Sequence, residues 1–79
     1  MRVEVRLFAT LRRYVPDLQV GEALTLEVPE GTTPRDLLAQ LGIPPDDVKI
    51  IMRNGRHIGL DDPLADGDRI AFIPAVGGG

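Results

Sequence analysis

One segment of the chain has the sequence signals of both a helix start and a helix end. A fold for this chain must therefore contain one short helix at that position. The segment is TTPRDLLAQLG, residues 32–42. Thr33 suits the N-cap, Pro34 suits the first helical position, and Asp36 follows the cap by three residues. Gly42 suits the position after the last turn, where a left-handed backbone favours glycine. A helix this short needs tertiary packing to persist, so we expect its leucine stripe to lie on a sheet.

The segments around the helix alternate between apolar and polar residues, as half-buried strands do. In MRVEVRLF, Val3, Val5 and Leu7 share one side, and Phe8 lies on the other. ATLRRYVPDL predicts a short helical turn, and the Asn-Gly pair after VKIIMR predicts a hairpin. Further strands are predicted in ALTLEV, VKIIMR, RHIGL and RIAFI.

This order of elements predicts an α+β protein with the β-grasp fold of ubiquitin-like domains. We expect a mixed sheet of four to five strands, with one main helix packed on one face and a flexible C-terminal glycine tail. The first and third strands are expected to be neighbours, with the last strand beside the first. The predicted organisation is one domain over residues 1–74 and a tail over residues 75–79.

The composition excludes several classes of function. The chain has 79 residues, which leaves room for one core and little else. It has no cysteine, which excludes thiol chemistry by its side chains, and its single histidine, His57, excludes a multi-histidine metal site. The net charge of −3 argues against nucleic-acid binding, and no segment approaches the ~20 apolar residues of a membrane span. We therefore expect a cytoplasmic protein with no membrane, nucleic-acid or metal site.

The last twenty residues, LDDPLADGDRIAFIPAVGGG, resemble the C-terminal signature of the MoaD/ThiS sulfur carriers, which include the small subunit of molybdopterin synthase. The early segment VRLFATLRRY is similar to the first strand and following helix of the MoaD branch. Two features depart from the pattern. Ala75 follows Pro74 where many MoaD-type chains have a second proline, and Gly77 stands where a larger polar residue is common.

The resemblance implies a carrier without catalytic residues or a bound cofactor of its own. In the family, an adenylyltransferase related to ubiquitin-activating enzymes uses ATP to adenylate the C-terminal carboxylate. A sulfur donor enzyme then supplies the sulfur of a thiocarboxylate, which a large catalytic synthase subunit accepts. Carried over to this chain, the reactive site is Gly79 with Gly78 beside it. The stem of the tail is then Pro74, Ala75, Val76 and Gly77.

A partner-binding patch is predicted on the sheet face opposite the core. Phe8 and Ile73 fall on that face by strand parity, and large exposed apolar groups on one face indicate a protein interface. We expect His57 and Ile51 to join them. The same parity places Arg6, Lys49 and Arg53 around the patch.

Three alternatives to a molybdopterin-pathway carrier remain open on the sequence. One is a ThiS-like carrier for thiazole synthesis or another sulfur-transfer pathway. Another is a ubiquitin-like modifier joined to lysines through Gly79. The third is a β-grasp binding module without covalent chemistry, for which loss of Gly79 would be harmless.

Overall fold

The computed structural model describes residues 1–75, which form five strands, one α-helix and two short 3₁₀ helices. The 3₁₀ helices span Ala9–Tyr14 and Pro45–Asp47, and the α-helix, α1, spans Pro34–Leu41. The strands are β1 (Arg2–Leu7), β2 (Leu24–Glu27), β3 (Val48–Arg53), β4 (Arg56–His57) and β5 (Arg69–Pro74). Every strand predicted from alternation is present, although the strand predicted in RHIGL is only two residues long.

The five strands form one mixed sheet in the order β2-β1-β5-β3-β4. β1 and β5 are parallel, whereas the other neighbouring pairs are antiparallel. The expectation that the first and third strands are neighbours is wrong, because β5 lies between them. This central position suits β5, whose Ile70 and Phe72 are among the most deeply buried side chains in the chain. The β-grasp fold is confirmed.

Helix α1 begins and ends as its sequence predicts. The Thr33 hydroxyl accepts a hydrogen bond from the Asp36 amide at 3.3 Å, and the Asp36 carboxylate accepts one from the Thr33 amide at 3.0 Å. This reciprocal pair satisfies two of the amides that a helix start leaves without partners. Gly42 closes the other end with φ 74°, a left-handed conformation. The short helix thus has both ends capped before it packs on the sheet.

Replacing the Thr33 hydroxyl tests how much this cap contributes. We expect Thr33→Ala to lower the free energy of unfolding by about 1 kcal/mol, because the Asp36 amide loses its acceptor. Thr33→Ser is the matched control, since it keeps the oxygen. Denaturant titration at equilibrium measures both changes, and an equal loss in the two variants would show that the hydroxyl is not what stabilises the helix start.

The core lies between α1 and one face of the sheet. Leu37 and Leu38 of α1 are fully buried, as are Val3 and Val5 of β1. Leu64, in the loop before β5, is only 6% exposed and belongs to the core. The backbone amide of Leu64 donates to the Thr32 carbonyl at 2.9 Å, which ties this loop to the start of the helix. The sheet therefore has a buried inner face against α1 and a free outer face.

β3 contains an irregularity that reverses its alternation. Val48 pairs with Pro74 and Ile50 pairs with Ile73, so that Lys49 is an extra residue in the ladder, a β-bulge. After the bulge, Ile51 lies opposite Phe72, and Met52 lies opposite Ala71. Ile51 therefore points to the core, whereas Ile50 and Met52 lie on the outer face.

Candidate functional site

β5 brings the chain out of the centre of the sheet at the end where β1 also finishes. The two strands are parallel, with Leu7 beside Phe72, and the Phe8 amide continues the ladder by donating to the Phe72 carbonyl at 3.2 Å. Pro74 is the last residue of β5 and is buried, and Ala75 after it is exposed. Pro74 is thus held by the sheet, and the chain leaves the sheet at Ala75, next to Phe8.

The outer face carries an apolar row next to this exit. Ile50 and Ile73 are register partners, and Phe8 lies on the opposite side of Ile73, one residue after the Leu7–Phe72 pair. Phe8 is 44% exposed and extends the apolar row beyond Ile73. A second row, below the first, contains Arg6, Ala71, Met52 and His57.

The two rows border a shallow depression of about 440 Å³. Its apolar floor and exposed aromatic rim are features of a protein-binding surface rather than of a closed ligand site. Its lining consists of Arg6, Phe8, Met52, Asn54, Gly55, Arg69, Ile70, Ala71 and Ile73.

Three of the four residues predicted for the patch lie on the outer face. Phe8 and Ile73 flank each other there, and His57 is exposed beside its register partner Met52. The prediction that Ile51 joins them is wrong, since Ile51 is 7% exposed and belongs to the core. The β-bulge at Lys49 is the cause, because a one-residue shift moves each following side chain to the opposite face.

The three basic residues predicted around the patch do not all lie on the outer face. Arg6 lies on the outer face and lines the depression. Lys49 is exposed at the bulge itself. Arg53 was assigned to the outer face by parity, and this is wrong. Its guanidinium donates to the Pro63 carbonyl at 2.9 Å and lies 4.0 Å from the buried Asp68, on the core side of the sheet.

None of the arginines that already form an ion pair lines the depression. Arg35 donates two hydrogen bonds to Asp61, at 2.8 and 3.0 Å, which joins α1 to the loop before β5. These bonds hold the pKa of the Asp61 carboxyl below its usual value. Arg2 pairs with Glu27, and Arg13 lies 3.7 Å from Asp47. Within residues 1–75, the arginine and lysine side chains without an ion pair are Arg6, Arg12, Lys49, Arg56 and Arg69.

Metal-binding and membrane-spanning features are both absent from the described residues. In residues 1–75, no group of three or more histidine, aspartate or glutamate side chains is placed to hold a metal ion. Over the same range, none of the helices has the length and apolar character needed to span a membrane.

The predicted reactive residues lie outside the described part of the chain. Pro74 and Ala75 are the first stem residues and the last two that the structure describes. Val76, Gly77, Gly78 and Gly79 follow them in the sequence and lie beyond the described residues. For these residues the comparison with known families is informative.

The model of the ThiS family matches residues 5–79, from the first strand through the terminal glycines. The chain belongs to the ThiS family. The resemblance to MoaD/ThiS carriers, which rested on the two ends of the chain, is thereby confirmed. No curated protein matches the sequence of this ThiS-family chain.

Several solved structures resemble this ThiS-family protein. A complex of subunits 1 and 2 of molybdopterin-converting factor from Helicobacter pylori matches with 30% identity, complete coverage of both chains and a TM-score of 0.59. A Pyrococcus furiosus protein assigned as subunit 1 of molybdopterin converting factor matches with 26% identity over 96% of this chain and 99% of its own, at a TM-score of 0.72. SAMP1, a small archaeal modifier protein of Haloferax volcanii, matches with 26% identity, complete coverage of both chains and a TM-score of 0.72.

Sequence reasoning missed two outer-face residues of this ThiS-family protein. Ile50 and Met52 belong to the apolar patch but were not predicted there. Because the two isoleucines in VKIIMR are adjacent, either one could face the core while the other faces outward. The bulge decides which one does, and no residue in the segment indicates where the bulge lies. The outer patch is therefore defined as Phe8, Ile50, Met52, Ala71 and Ile73.

Proposed function

We propose that this protein is a sulfur carrier whose C-terminal glycine is converted to a thiocarboxylate for molybdopterin biosynthesis in the cytoplasm. The ThiS-family match, which extends through Gly78 and Gly79, is the observation that carries the proposal. The similarity to subunit 1 of molybdopterin converting factor supports the pathway.

The chemistry of the proposal needs two steps at Gly79. A carboxylate oxygen of Gly79 attacks the α-phosphorus of ATP on the activating adenylyltransferase, which releases pyrophosphate and forms an acyl-adenylate. A hydrosulfide ion released by the donor enzyme then attacks the acyl carbon, AMP leaves with the electrons of the carbon–oxygen bond, and loss of the proton from sulfur gives the thiocarboxylate. ATP is thus used by the partner, and the carrier needs no bound cofactor. Its own contribution is to present a carbonyl carbon that an enclosed active site can surround.

The residues of the chain suit this task. The last three residues are glycines without a Cβ. Their backbone can therefore pass through a narrow channel and adopt conformations that other residues rarely adopt. The five residues after β5 reach about 17 Å when extended, which is enough to enter a buried site. Pro74 has a fixed φ and is anchored in the sheet, which directs the tail.

The outer patch is the surface that we propose for docking on the partner proteins. It is apolar, it lies opposite the buried core face, and it borders the point where the tail leaves the sheet. A partner bound there would have its active site within reach of Gly79. The Helicobacter pylori complex, which joins subunits 1 and 2 of molybdopterin-converting factor, supports a large synthase subunit as one such partner.

The mass of the intact protein tests the carrier chemistry. After incubation with the adenylyltransferase and sulfur donor of the same organism and ATP, we expect a species heavier by the difference between one sulfur and one oxygen atom. Fragmentation should assign the gain to the C-terminal peptide. Omission of ATP is the control and should leave the mass unchanged. A gain on any other peptide, or no gain, would contradict the proposal.

A protein modifier is the second candidate function, and the similarity to SAMP1 favours it. The same acyl-adenylate would then be attacked by a lysine amine of a target protein, with AMP as the leaving group. This candidate predicts heavier conjugates in cells that disappear when Gly79 is absent. The carrier predicts a thiocarboxylate without such conjugates.

A further inference from the structure

A second and smaller cleft lies at the edge of the outer face, between the end of β1 and the loop that precedes β2. It has a volume of about 190 Å³. We call it the Phe8–Val20 cleft. Its lining consists of Arg6, Leu7, Phe8, Ala9, Arg12, Val20, Gly21 and Glu22. The cleft adjoins the outer patch, with which it shares Phe8.

The exposed apolar side chains of the molecule converge on this cleft. Among residues 1–75, the large hydrophobic side chains classed as exposed are Phe8, at 44%, and Val20, at 79%. Both line the same cleft, although twelve positions separate them in the sequence. A single exposed apolar residue needs no explanation, but two that face one depression form a surface that an apolar group from another molecule would cover.

Two arginines and one glutamate line the cleft, so the net charge of its lining is positive. Arg6 and Arg12 make no ion pair with any residue of the range 1–75. The nearby acid, Glu22, uses its carboxylate to accept a hydrogen bond from the Gln19 amide at 3.0 Å. Arg13, next in sequence to Arg12, already bonds to the Tyr14 hydroxyl and lies near Asp47. Two guanidinium groups are thus available at the cleft for an external carboxylate.

The backbone at the cleft is also strained. Ala9 has φ 51°, in the left-handed region that non-glycine residues rarely occupy. The other non-glycine residue of residues 1–75 with positive φ is Asn54, where the hairpin turn requires it. At Ala9 no such turn exists, and the conformation instead starts the 3₁₀ helix that carries Arg12 to the cleft. Strain of this kind persists where the surrounding fold enforces it, and it is frequent at binding sites.

We propose that the Phe8–Val20 cleft binds an apolar side chain of the activating adenylyltransferase. Arg6 and Arg12 then bind a carboxylate of the same enzyme that lies beside this side chain. The inference rests on the proposed function and adds a recognition element at the edge of the outer patch. The adenylyltransferase is the partner because activation precedes every fate proposed for the Gly79 carboxylate. A bidentate guanidinium–carboxylate contact beside a filled apolar cleft gives both affinity and orientation.

Steady-state kinetics of ATP–pyrophosphate exchange, with the adenylyltransferase of the same organism and the full chain as substrate, test this proposal. We expect Val20→Ser and Arg12→Gln each to raise the KM for the carrier about tenfold, with kcat unchanged, as for the central contacts of an interface. Arg56→Gln is the matched control. It removes the same charge from another unpaired cation, three strands away from β1 at the far edge of the sheet, and should change KM less than about twofold.

The outcomes separate this proposal from the proposed function. Saturable exchange with the wild type but unchanged KM for Val20→Ser and Arg12→Gln would overturn the cleft and leave the carrier function intact. No exchange with the wild type would overturn both. If Arg12→Gln and Arg56→Gln raised the KM for the carrier equally, the cause would be the general loss of positive charge. That result would overturn the specific carboxylate contact. Concentration-dependent self-association that Val20→Ser removes would make a second copy the occupant and also overturn the proposal.

Discussion

A chain that lacks Gly79 is expected to lose at least a hundredfold in the rate of thiocarboxylate formation, although it still ends in a glycine carboxylate. The shortened tail places its carbonyl carbon about 3.3 Å short of the position that the full tail reaches. Displacements of about 1 Å at a reacting centre already cost as much as a hundredfold in rate. The rate of conversion of the C-terminus is measured under single-turnover conditions from the mass of the intact protein over time.

The stability of the shortened chain is the control for this experiment. Gly79 lies beyond the last strand, so its loss should leave the thermal midpoint of unfolding unchanged. The expected result is therefore a folded protein that binds its activating enzyme but is not converted. Full-rate conversion of the shortened chain would end the carrier proposal, because the terminal residue would then have no special position.

Truncation of Phe72 is expected to destabilise the fold severely, because Phe72 is the largest of the fully buried side chains in residues 1–75. It lies in β5 between Leu7 of β1 and Ile51 of β3. Phe72→Ala should lower the free energy of unfolding by about 3–5 kcal/mol, the sum of lost apolar burial and the cavity left behind. The free energy of unfolding of a native domain is about 5–15 kcal/mol, so this single truncation should remove a large fraction of the total stability. Denaturant titration with circular dichroism measures the loss.

Ile73 is the matched control, because it is the next residue of the same strand and faces the other way. Ile73→Ala should cost only about 1 kcal/mol, the scale of strand preference at a half-exposed position. It removes part of the outer patch, so we expect weaker docking on the activating enzyme from a well-folded protein. If Ile73→Ala destabilised the protein as strongly as Phe72→Ala, the assignment of inner and outer faces would be wrong.

Much of the local structure could be predicted from the sequence because its signals act over a few residues. The cap formed by Thr33 and Asp36 needs only backbone amides within one helical turn, and Gly42 needs only its own freedom of φ. The Asn54–Gly55 turn has φ values of 52° and 84°, which these two residue types favour. The outward position of Phe8 followed from uninterrupted alternation along β1.

The faces of β3 and the order of the strands could not be predicted, because both depend on contacts between distant parts of the chain. The bulge at Lys49 exists only in the pairing of β3 with β5, so the sequence of β3 alone does not show that Ile51 faces the core. The neighbours of β1 depend on which strand buries most apolar surface at the centre of the sheet. Val20 was missed because a valine in a polar loop gives no periodic signal.

The position of β5 has a consequence for how the protein is made. β1 with β2 and β3 with β4 are pairs close in sequence, but the two pairs are joined only through β5, which comes last. The sheet therefore cannot close on the ribosome until residue 74 has left the exit tunnel. Until then β1 and β3 each expose an open edge that another chain could pair with. We expect any delay in the synthesis or docking of β5 to prolong that exposure and to lower the yield of folded protein.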